Sequence, residues 1–188
     1  MRLHKYKNYD EYKKVQEEGN KKKINRQYCQ KDEIKFLSDY LKTKSTDIKF
    51  GICHGTRRGN EQSWFREYLD ADVIGTEISE TANQFPHTIQ WDFHETKEEW
   101  LNNTDFIYSN SLDHSYDPSM CLKKWMSCIK EGGICIIQWD QHYTDDYSRE
   151  LDPFGASLDE YKQMIIELGF SVKEIIKHPK KDIKYIII

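Results

Sequence analysis

Short apolar runs alternate with amphipathic segments from residue 48 to residue 188. Runs of roughly four to eight apolar or β-branched residues bounded by turns are typical of strands, whereas apolar residues every three or four positions indicate helices. The pattern predicts strands at 48–53, 72–77, 87–91, 105–110, 134–139, 171–177 and 183–188. It predicts helices between them at 60–69, 80–84, 97–101, 118–130 and 157–168.

The order of these elements predicts an α/β fold. Strands that alternate with helices form a parallel sheet covered on both faces, which is a doubly wound sheet. Only the short turn 178–182 separates the last two strands, which leaves no room for a crossover helix, so they must pair antiparallel. The sequence therefore predicts a mostly parallel seven-stranded sheet with a C-terminal antiparallel hairpin.

The first 45 residues have a different character. They are polar and helical, with candidate helices at 10–18 and 32–41 joined through Gly19 and Asn20. We interpret residues 1–45 as an N-terminal helical extension and residues 46–188 as the α/β domain. A chain of 188 residues suits one such domain, because domains typically contain about 100 to 200 residues.

Composition and charge argue against several classes of protein. There are 32 acidic and 28 basic residues, so the net charge is −4 and gives no electrostatic case for nucleic-acid binding. The five cysteines form no CxxC pair and look like core residues in a reducing compartment. No signal peptide or apolar run of membrane-spanning length is visible. We therefore expect a cytoplasmic protein.

The first predicted strand leads into a loop with glycines, and the second strand ends in a carboxylate. Gly55 and Gly59 follow the first strand, and Glu77 lies 22 residues after Gly55 (77 minus 55). This order is typical of a nucleoside-binding βαβ unit, in which an acid about 20 residues on accepts hydrogen bonds from the ribose. Two alternatives stay open: a plain strand-to-helix turn, and an acid that favours the start of the next helix.

Residues from about 48 to 188 resemble the class I S-adenosylmethionine-dependent methyltransferases, a Rossmann-like family. The stretches that carry the resemblance are the Gly55 loop, Glu77, residues 90–94, residues 109–118 and residues 131–133. The resemblance implies S-adenosyl-L-methionine as cofactor. The cofactor-binding residues that it implies are His54, Gly55, Thr56, Arg57, Gly59, Glu77, Ile78, Asp92, Phe93, Asn110 and Ser111.

The chain departs from this family after the first strand. The family has an acid at that strand's end and a denser glycine loop, whereas Cys53 and His54 end the strand here and Arg57 and Arg58 interrupt the loop. We expect backbone carbonyls or a later acid to hold the cofactor's amino group, and an arginine to hold its carboxylate. The resemblance places Asp92 on the adenine amino group. The alternative for its aromatic neighbours is that they belong to the hydrophobic core.

Polar residues after the fourth predicted strand mark the acceptor side of the site. Asp113 and His114 are the catalytic candidates, because an imidazole with a pKa near about 6.5 suits removal of a proton from an acceptor. The alternative is that Ser115 or Asp117 caps a helix at Pro118 while His114 only packs. The substrate-binding candidates are His114, Tyr116, Gln141 and His142.

The sequence predicts no metal site. Two sets of residues have suitable side chains: Asp113, His114 and Asp117, and also His142, Asp145 and Asp146. Neither has a strong ligand spacing such as HExxH. The connection 140–156 is long and rich in Tyr, His and Asp, so it is either a lid over the acceptor or a surface excursion.

The function that these features favour is methyl transfer to a small-molecule or sugar-like acceptor. The chain lacks the Asn-Pro-Pro-Tyr and Pro-Cys signatures that the family uses on DNA bases. One alternative is a sensor or partner-binding domain that binds the cofactor without catalysis, favoured by the sparse glycine loop. Another is an NAD(P)-dependent oxidoreductase, which predicts a GxGxxG motif that is missing here. The aromatic-rich N-terminal region could serve a homodimer.

Overall fold

The computed structural model describes residues 1–144 and 148–188. Its strands and α-helices in chain order are β1 (Arg2–Leu3), α1 (Tyr9–Lys22), α2 (Lys31–Lys44), β2 (Phe50–His54), α3 (Asn60–Leu69), β3 (Asp72–Glu77), β4 (Thr88–Gln90), β5 (Thr104–Ser109), α4 (Pro118–Cys128), β6 (Ile129–Trp139), β7 (Phe154–Gly155), α5 (Leu158–Glu167), β8 (Glu174–Lys177) and β9 (Lys184–Ile187). Short 3₁₀ turns lie at Glu80–Gln84, Glu98–Trp100, Leu112–His114 and Gln141–Tyr143. Within the described ranges, no helix is both long enough and apolar enough to cross a membrane.

Seven strands form one sheet in the order β4-β3-β2-β5-β6-β9-β8. The strands from β4 to β6 are parallel, whereas β9 is antiparallel to both β6 and β8. This confirms the predicted seven-stranded sheet with its C-terminal antiparallel hairpin. Because parallel strands point the same way, the carboxyl ends of β2, β3, β4 and β5 lie at one edge.

Helices cover both faces of the sheet. On one face α4 and α5 pack against Ile107 and Ile137, and on the other α2 and α3 pack against Phe106 and Ile136. Neighbouring residues of β5 and β6 therefore enter opposite clusters, as the two-residue period of a strand requires. Helix α2 comes from the polar N-terminal segment and packs into this core. The domain boundary between residues 45 and 46 stays a prediction.

Several elements differ from the sequence pattern in type or length. The segments predicted as helices at 80–84 and 97–101 form 3₁₀ turns, since so few residues cannot offset the cost of nucleating an α-helix. The helix predicted at 118–130 ends at Cys128, and β6 begins at Ile129 because Ile129 already pairs with Thr104 across a ladder irregularity. The last hairpin's first strand begins at Glu174 rather than at residue 171.

The hydrophobic pattern gives no sign of the second sheet, in which β1 pairs antiparallel with β7. The amide of His4 continues the contact by donating to the carbonyl of Pro153 at 2.8 Å. Each strand has only two residues and they lie far apart in the chain, so no periodicity marks them. The pairing joins the N-terminal segment to the connection 140–156.

Candidate active site

The loops after β2 and β5 meet at the carboxyl edge of the sheet. Gly55 has a φ of 73°, and a Cβ built on it would lie 2.6 Å from the Cβ of Ser111. Only glycine suits both this left-handed backbone and this close approach. The amides of Gly55 and Thr56 donate to the carbonyl of Thr76 at 2.9 and 3.1 Å. The loop is thus fixed where open α/β sheets bind their ligands.

A cleft with two adjoining compartments lies over this edge. The cavity volume is about 50 Å³ in the first compartment and about 390 Å³ in the second. The residues that line both compartments are Lys23, Gly55, Arg57, Ser111 and His114. The junction of the compartments therefore lies between the two loops and the C-terminal end of α1.

Helix α1 lies across the first compartment. The residues of α1 that line it are Tyr12, Gln16, Gly19 and Asn20. Their spacing of one, three and four positions places them on one helix face. Asn20 Oδ1 accepts a hydrogen bond from the Thr81 hydroxyl at 2.7 Å, and Lys21 pairs with Glu80 at 2.7 Å. These contacts attach α1 to the turn after β3.

Glu77 is a buried carboxylate at the end of β3 that lines the first compartment, as do Ile78 and Phe93. Its Oε2 accepts from the amide of Arg57 at 3.2 Å, and its Oε1 accepts from the amide of Ser79 at 3.0 Å. Each oxygen has a further lone pair for a ligand hydroxyl. Burial raises the pKa of Glu77, and the two amides and the charge of Arg57 oppose that rise.

Asp92 lies next to the first compartment without lining it, and its carboxylate has three partners. Oδ1 accepts from the amide of His94 at 2.9 Å and from its ring Nδ1 at 2.7 Å, while Oδ2 accepts from the Tyr9 hydroxyl at 2.6 Å. His94 Nε2 lies 2.7 Å from the hydroxyl oxygen of Ser115. This Asp–His–Ser chain has the connectivity of a nucleophilic triad. However, Ser115 is fully buried and lines neither compartment.

The Asp–His–Ser chain therefore connects the loops after β4 and β5, and Tyr9 ties α1 to it. The contact of Asp92 with adenine stays a prediction.

His114 lies at the junction of the compartments and is held from distant parts of the chain. Its Nδ1 lies 2.7 Å from the carbonyl oxygen of Leu151 and 3.0 Å from Oε1 of Gln16. Both neighbours are acceptors, so Nδ1 carries the hydrogen, and in the neutral tautomer Nε2 is the nitrogen with the lone pair. Nε2 lies 3.7 Å from Oδ1 of Asp152. The imidazole is thus oriented as a proton acceptor beside a carboxylate.

Asp113, His114 and Asp152 form a cluster in which one ligand atom of each lies within 4.8 Å of the others. Burial raises the pKa of Asp113 to about 6, and its Oδ1 has no hydrogen-bond partner among the described residues. Asp152 pairs with Arg149 at 2.7 Å, and Lys23 lies 4.0 Å from it. These two cations already offset the charge of Asp152. We interpret the cluster as an acid–base group, and the absence of a metal stays a prediction.

The second compartment is lined by four more of the predicted residues: Thr56, Asn110, Asp113 and His142. Asp117 lies outside it and caps α4, since its Oδ1 accepts from the amide of Met120 at 2.9 Å. Asp145 and Asp146 lie outside the described residues.

The remaining predicted site residues line neither compartment. His54 stacks on Trp125 with ring centroids 4.8 Å apart, and burial lowers its pKa to about 3, so its ring is neutral. Gly59 has a φ of 72° and precedes α3. Tyr116 packs against His94, and Gln141 is exposed in a 3₁₀ turn. The roles assigned to these side chains stay predictions.

The sequence pattern did not predict the residues that lie at the cleft without following the end of a strand. Gln16 and Leu151 hold His114, yet no motif links them to it. Glu61 lines the second compartment and had a detectable signal, because it is an acid in the first turn of the helix that follows the glycine loop.

The mostly parallel seven-stranded sheet with its C-terminal antiparallel hairpin, together with the similarity to solved structures, shows that the chain has the fold of the class I S-adenosylmethionine-dependent methyltransferases. The 1,6-didemethyltoxoflavin-N1-methyltransferase of Burkholderia thailandensis, solved with 1,6-didemethyltoxoflavin and S-adenosylhomocysteine, is similar at 12% identity with a TM-score of 0.73, over 97% of this chain and 89% of that one.

Two further solved structures are similar over almost their whole length. A Methanococcus maripaludis protein described as an S-adenosyl-L-methionine-dependent methyltransferase has 16% identity and a TM-score of 0.68, over 100% of this chain and 96% of that one. Magnesium protoporphyrin IX methyltransferase of Synechocystis PCC 6803, solved with S-adenosylmethionine, has 11% identity and a TM-score of 0.64, over 97% of each chain. No protein-family model and no curated protein sequence matches this chain.

Proposed function

We propose that this protein is an S-adenosylmethionine-dependent methyltransferase acting on a small-molecule or sugar-like acceptor. The observation that carries the proposal is the junction at Gly55, Ser111 and His114 between a compartment with a buried carboxylate and a larger second compartment. A donor with its nucleoside in the first compartment would place its methyl group near the junction, where an acceptor in the second compartment would meet it beside a candidate base. The fold supports the same donor.

The residues of the cleft fit this cofactor. Glu77 keeps unshared lone pairs for the ribose hydroxyls, and Ile78 and Phe93 give an apolar surface for a base. Arg57 lines both compartments, and its Nε has no partner among the described residues, as expected of a group that binds a polar ligand. The cofactor would supply an electrophilic methyl group on a sulfonium.

The protein's own contribution is alignment and proton removal. The touching loops at Gly55 and Ser111 fix one wall of the junction, and α1 covers the first compartment. Nε2 of His114 would accept the proton of an acceptor hydroxyl, while the carbonyl of Leu151 holds the ring and Asp152 stabilises the imidazolium.

The small-molecule acceptor is supported by the size of the second compartment and by the fold neighbours. Two of those neighbours are named for a 1,6-didemethyltoxoflavin and a magnesium porphyrin. The net charge of −4 argues against a nucleic-acid acceptor. A cytoplasmic location is part of the proposal, supported by five buried cysteines that are all free thiols.

Calorimetry with S-adenosylmethionine, S-adenosylhomocysteine and NAD tests the proposal. We expect micromolar-range affinity for the first two, and we expect Glu77→Ala to weaken it at least about tenfold by removing the ribose acceptor. Glu98→Ala, which removes an exposed acid that lines neither compartment, is the control. Binding of NAD alone would refute the proposal. Binding of the homocysteine product without turnover of any acceptor would favour the sensor.

His114→Asn tests the base. We expect turnover of an identified acceptor to fall about 10² to 10⁴-fold while the affinity for S-adenosylhomocysteine is retained. A chelator should leave wild-type turnover unchanged. If chelation abolishes turnover and a divalent cation restores it, the cluster of Asp113, His114 and Asp152 binds a metal and His114 is not the base.

A further inference from the structure

Two side chains of opposite charge, the half-buried Arg57 on the loop after β2 and the buried Glu61 in the first turn of α3, are incompletely paired. Glu61 is 5% exposed, and its Oε2 has no partner among the described residues. Nε of Arg57 is likewise buried and unpartnered. Both residues line the second compartment. Each therefore presents a charged group beside the cleft.

The contacts that these side chains do make leave each of them with hydrogen-bonding capacity unused. Oε1 of Glu61 accepts one long hydrogen bond, from Nε2 of Gln27 at 3.4 Å. The guanidinium of Arg57 donates to the carbonyl of Arg26 at 3.2 Å and lies over the ring of Tyr28, with 5.1 Å between its Cζ and the ring centroid. Glu61 and Arg57, both within the described residues, have no nitrogen–oxygen contact within 4.0 Å, although the charge of Arg57 opposes the rise in the pKa of Glu61.

A buried charge without a partner is costly, and burial raises the pKa of Glu61 to about 7. A ligand that carries both an ammonium and a carboxylate would relieve both groups at once. The amino-acid end of the proposed cofactor has these two charges on one carbon. The end of β2 offers no acid for the ammonium, because Cys53 and the neutral ring of His54 stand there.

We propose that Glu61 binds the α-ammonium of the cofactor and Arg57 binds its α-carboxylate. The proposal rests on the proposed function and assigns Glu61 as a positioning residue for the donor. Asp113 and Asp152 are less suited to the ammonium. Asp152 already pairs with Arg149, and Asp113 adjoins the candidate base.

Three ligands that share the 5′-thioadenosine and differ in the group attached to its sulfur provide the test. S-adenosylhomocysteine carries both, decarboxylated S-adenosylhomocysteine keeps the ammonium alone, and methylthioadenosine has neither. We expect Glu61→Gln to weaken the binding of the first two ligands at least about tenfold and to leave the affinity for methylthioadenosine unchanged. We expect Arg57→Gln to weaken the binding of S-adenosylhomocysteine alone. Glu67→Gln on the exposed side of α3 and Arg58→Gln are the matched controls, and circular dichroism checks that each variant folds.

Two results would overturn the assignment while leaving the proposed function standing. One is wild-type affinity of Glu61→Gln for S-adenosylhomocysteine. The other is an equal loss for all three ligands, which would mean that Glu61 only maintains the loop. If the wild-type protein binds none of the three, the proposed function fails and the assignment fails with it.

Discussion

Two constraints act on Gly55, one on its backbone conformation and one on the space at its Cβ position. Its backbone is left-handed, and the position of its absent Cβ lies 2.6 Å from the Cβ of Ser111. Gly132 also has a positive φ, of 79°, but nothing lies within 4 Å of its Cβ position. A comparison of substitutions at the two glycines therefore separates the effect of backbone strain from the effect of the close approach of two loops.

Gly55→Ala should lower both stability and cofactor affinity. We expect it to cost about 1 to 3 kcal/mol for backbone strain and a similar amount for overpacking, and to weaken S-adenosylhomocysteine at least about tenfold as the loops separate. Gly132→Ala should show the strain cost alone, with unchanged affinity. Urea denaturation and calorimetry measure the two effects. Equal affinity losses in both variants would contradict a special role for Gly55.

Glu61 should make the stability of the ligand-free protein fall with pH. Burial raises its pKa from 4.5 to about 7, so the folded state holds a proton that the unfolded state has already released in this window. Stability is therefore lost as the pH rises from 4.5 to 7. Glu61→Gln removes this titration. We expect its free energy of unfolding to exceed that of the wild type by roughly 3 kcal/mol at pH 8 and to match it near pH 4.

Urea unfolding across this pH range checks the prediction for Glu61. Glu67 on the same helix is exposed, so its charge is screened by solvent. For Glu67→Gln we therefore expect the free energy of unfolding to vary with pH in parallel with the wild type. A parallel curve for Glu61→Gln would contradict the prediction.

At the scale of elements, the two N-terminal helices have different roles. Helix α2 buries Ile34, Leu37 and Leu41 in the core, whereas α1 lies at the rim over the first compartment. Helix α1 is held partly by polar contacts, including the hydrogen bond from Tyr9 to Asp92. Elements held in this way open more readily than core elements.

Tyr9→Phe should therefore loosen α1 selectively. Because Tyr9 is 45% exposed, loss of this hydrogen bond should cost only about 0.5 to 1.5 kcal/mol, and we expect faster amide hydrogen exchange across Tyr9–Lys22 with no change across Lys31–Lys44. S-adenosylhomocysteine should slow exchange in α1, because it would contact the residues that line the compartment. Tyr28→Phe, an exposed tyrosine outside both helices, is the control. Equal acceleration of both helices would mean that α1 is part of the core.

At the scale of the whole molecule, the sheet depends on one close packing at its centre. Gly51 of β2 lies opposite Phe106 of β5, and a Cβ on Gly51 would lie 2.3 Å from the Phe106 ring. The ring thus occupies the space above a glycine between the two central strands. The position requires a small residue for packing rather than for backbone conformation.

Gly51→Ala should destabilise the entire fold by about 1 to 3 kcal/mol, because overpacking displaces the Phe106 ring. Phe106→Leu in the same chain should recover part of that loss, and a double-mutant cycle by urea denaturation measures the coupling. Additive effects would show that the alanine is accommodated elsewhere.

Much of this organisation follows from the sequence. The apolar runs predicted seven strands and their final hairpin because a strand buried on both faces must be apolar over several consecutive residues. Glu77 was predicted at the cleft because it ends such a strand, and the end of a strand is fixed by local pattern. His114 and Asn110 reached the cleft for the same reason.

Other features depended on contacts between distant segments. Asp152, Leu151 and Gln16 surround His114 although they belong to a loop and a helix far from it in the chain. The position of α1 over the cleft and the pairing of β1 with β7 are of the same kind. The sequence by itself determined the sheet and the residues at its carboxyl edge, since periodicity is local. Only the tertiary structure decided what covers that edge and which charges lie unpaired beneath it, because those depend on packing between segments that no short pattern connects.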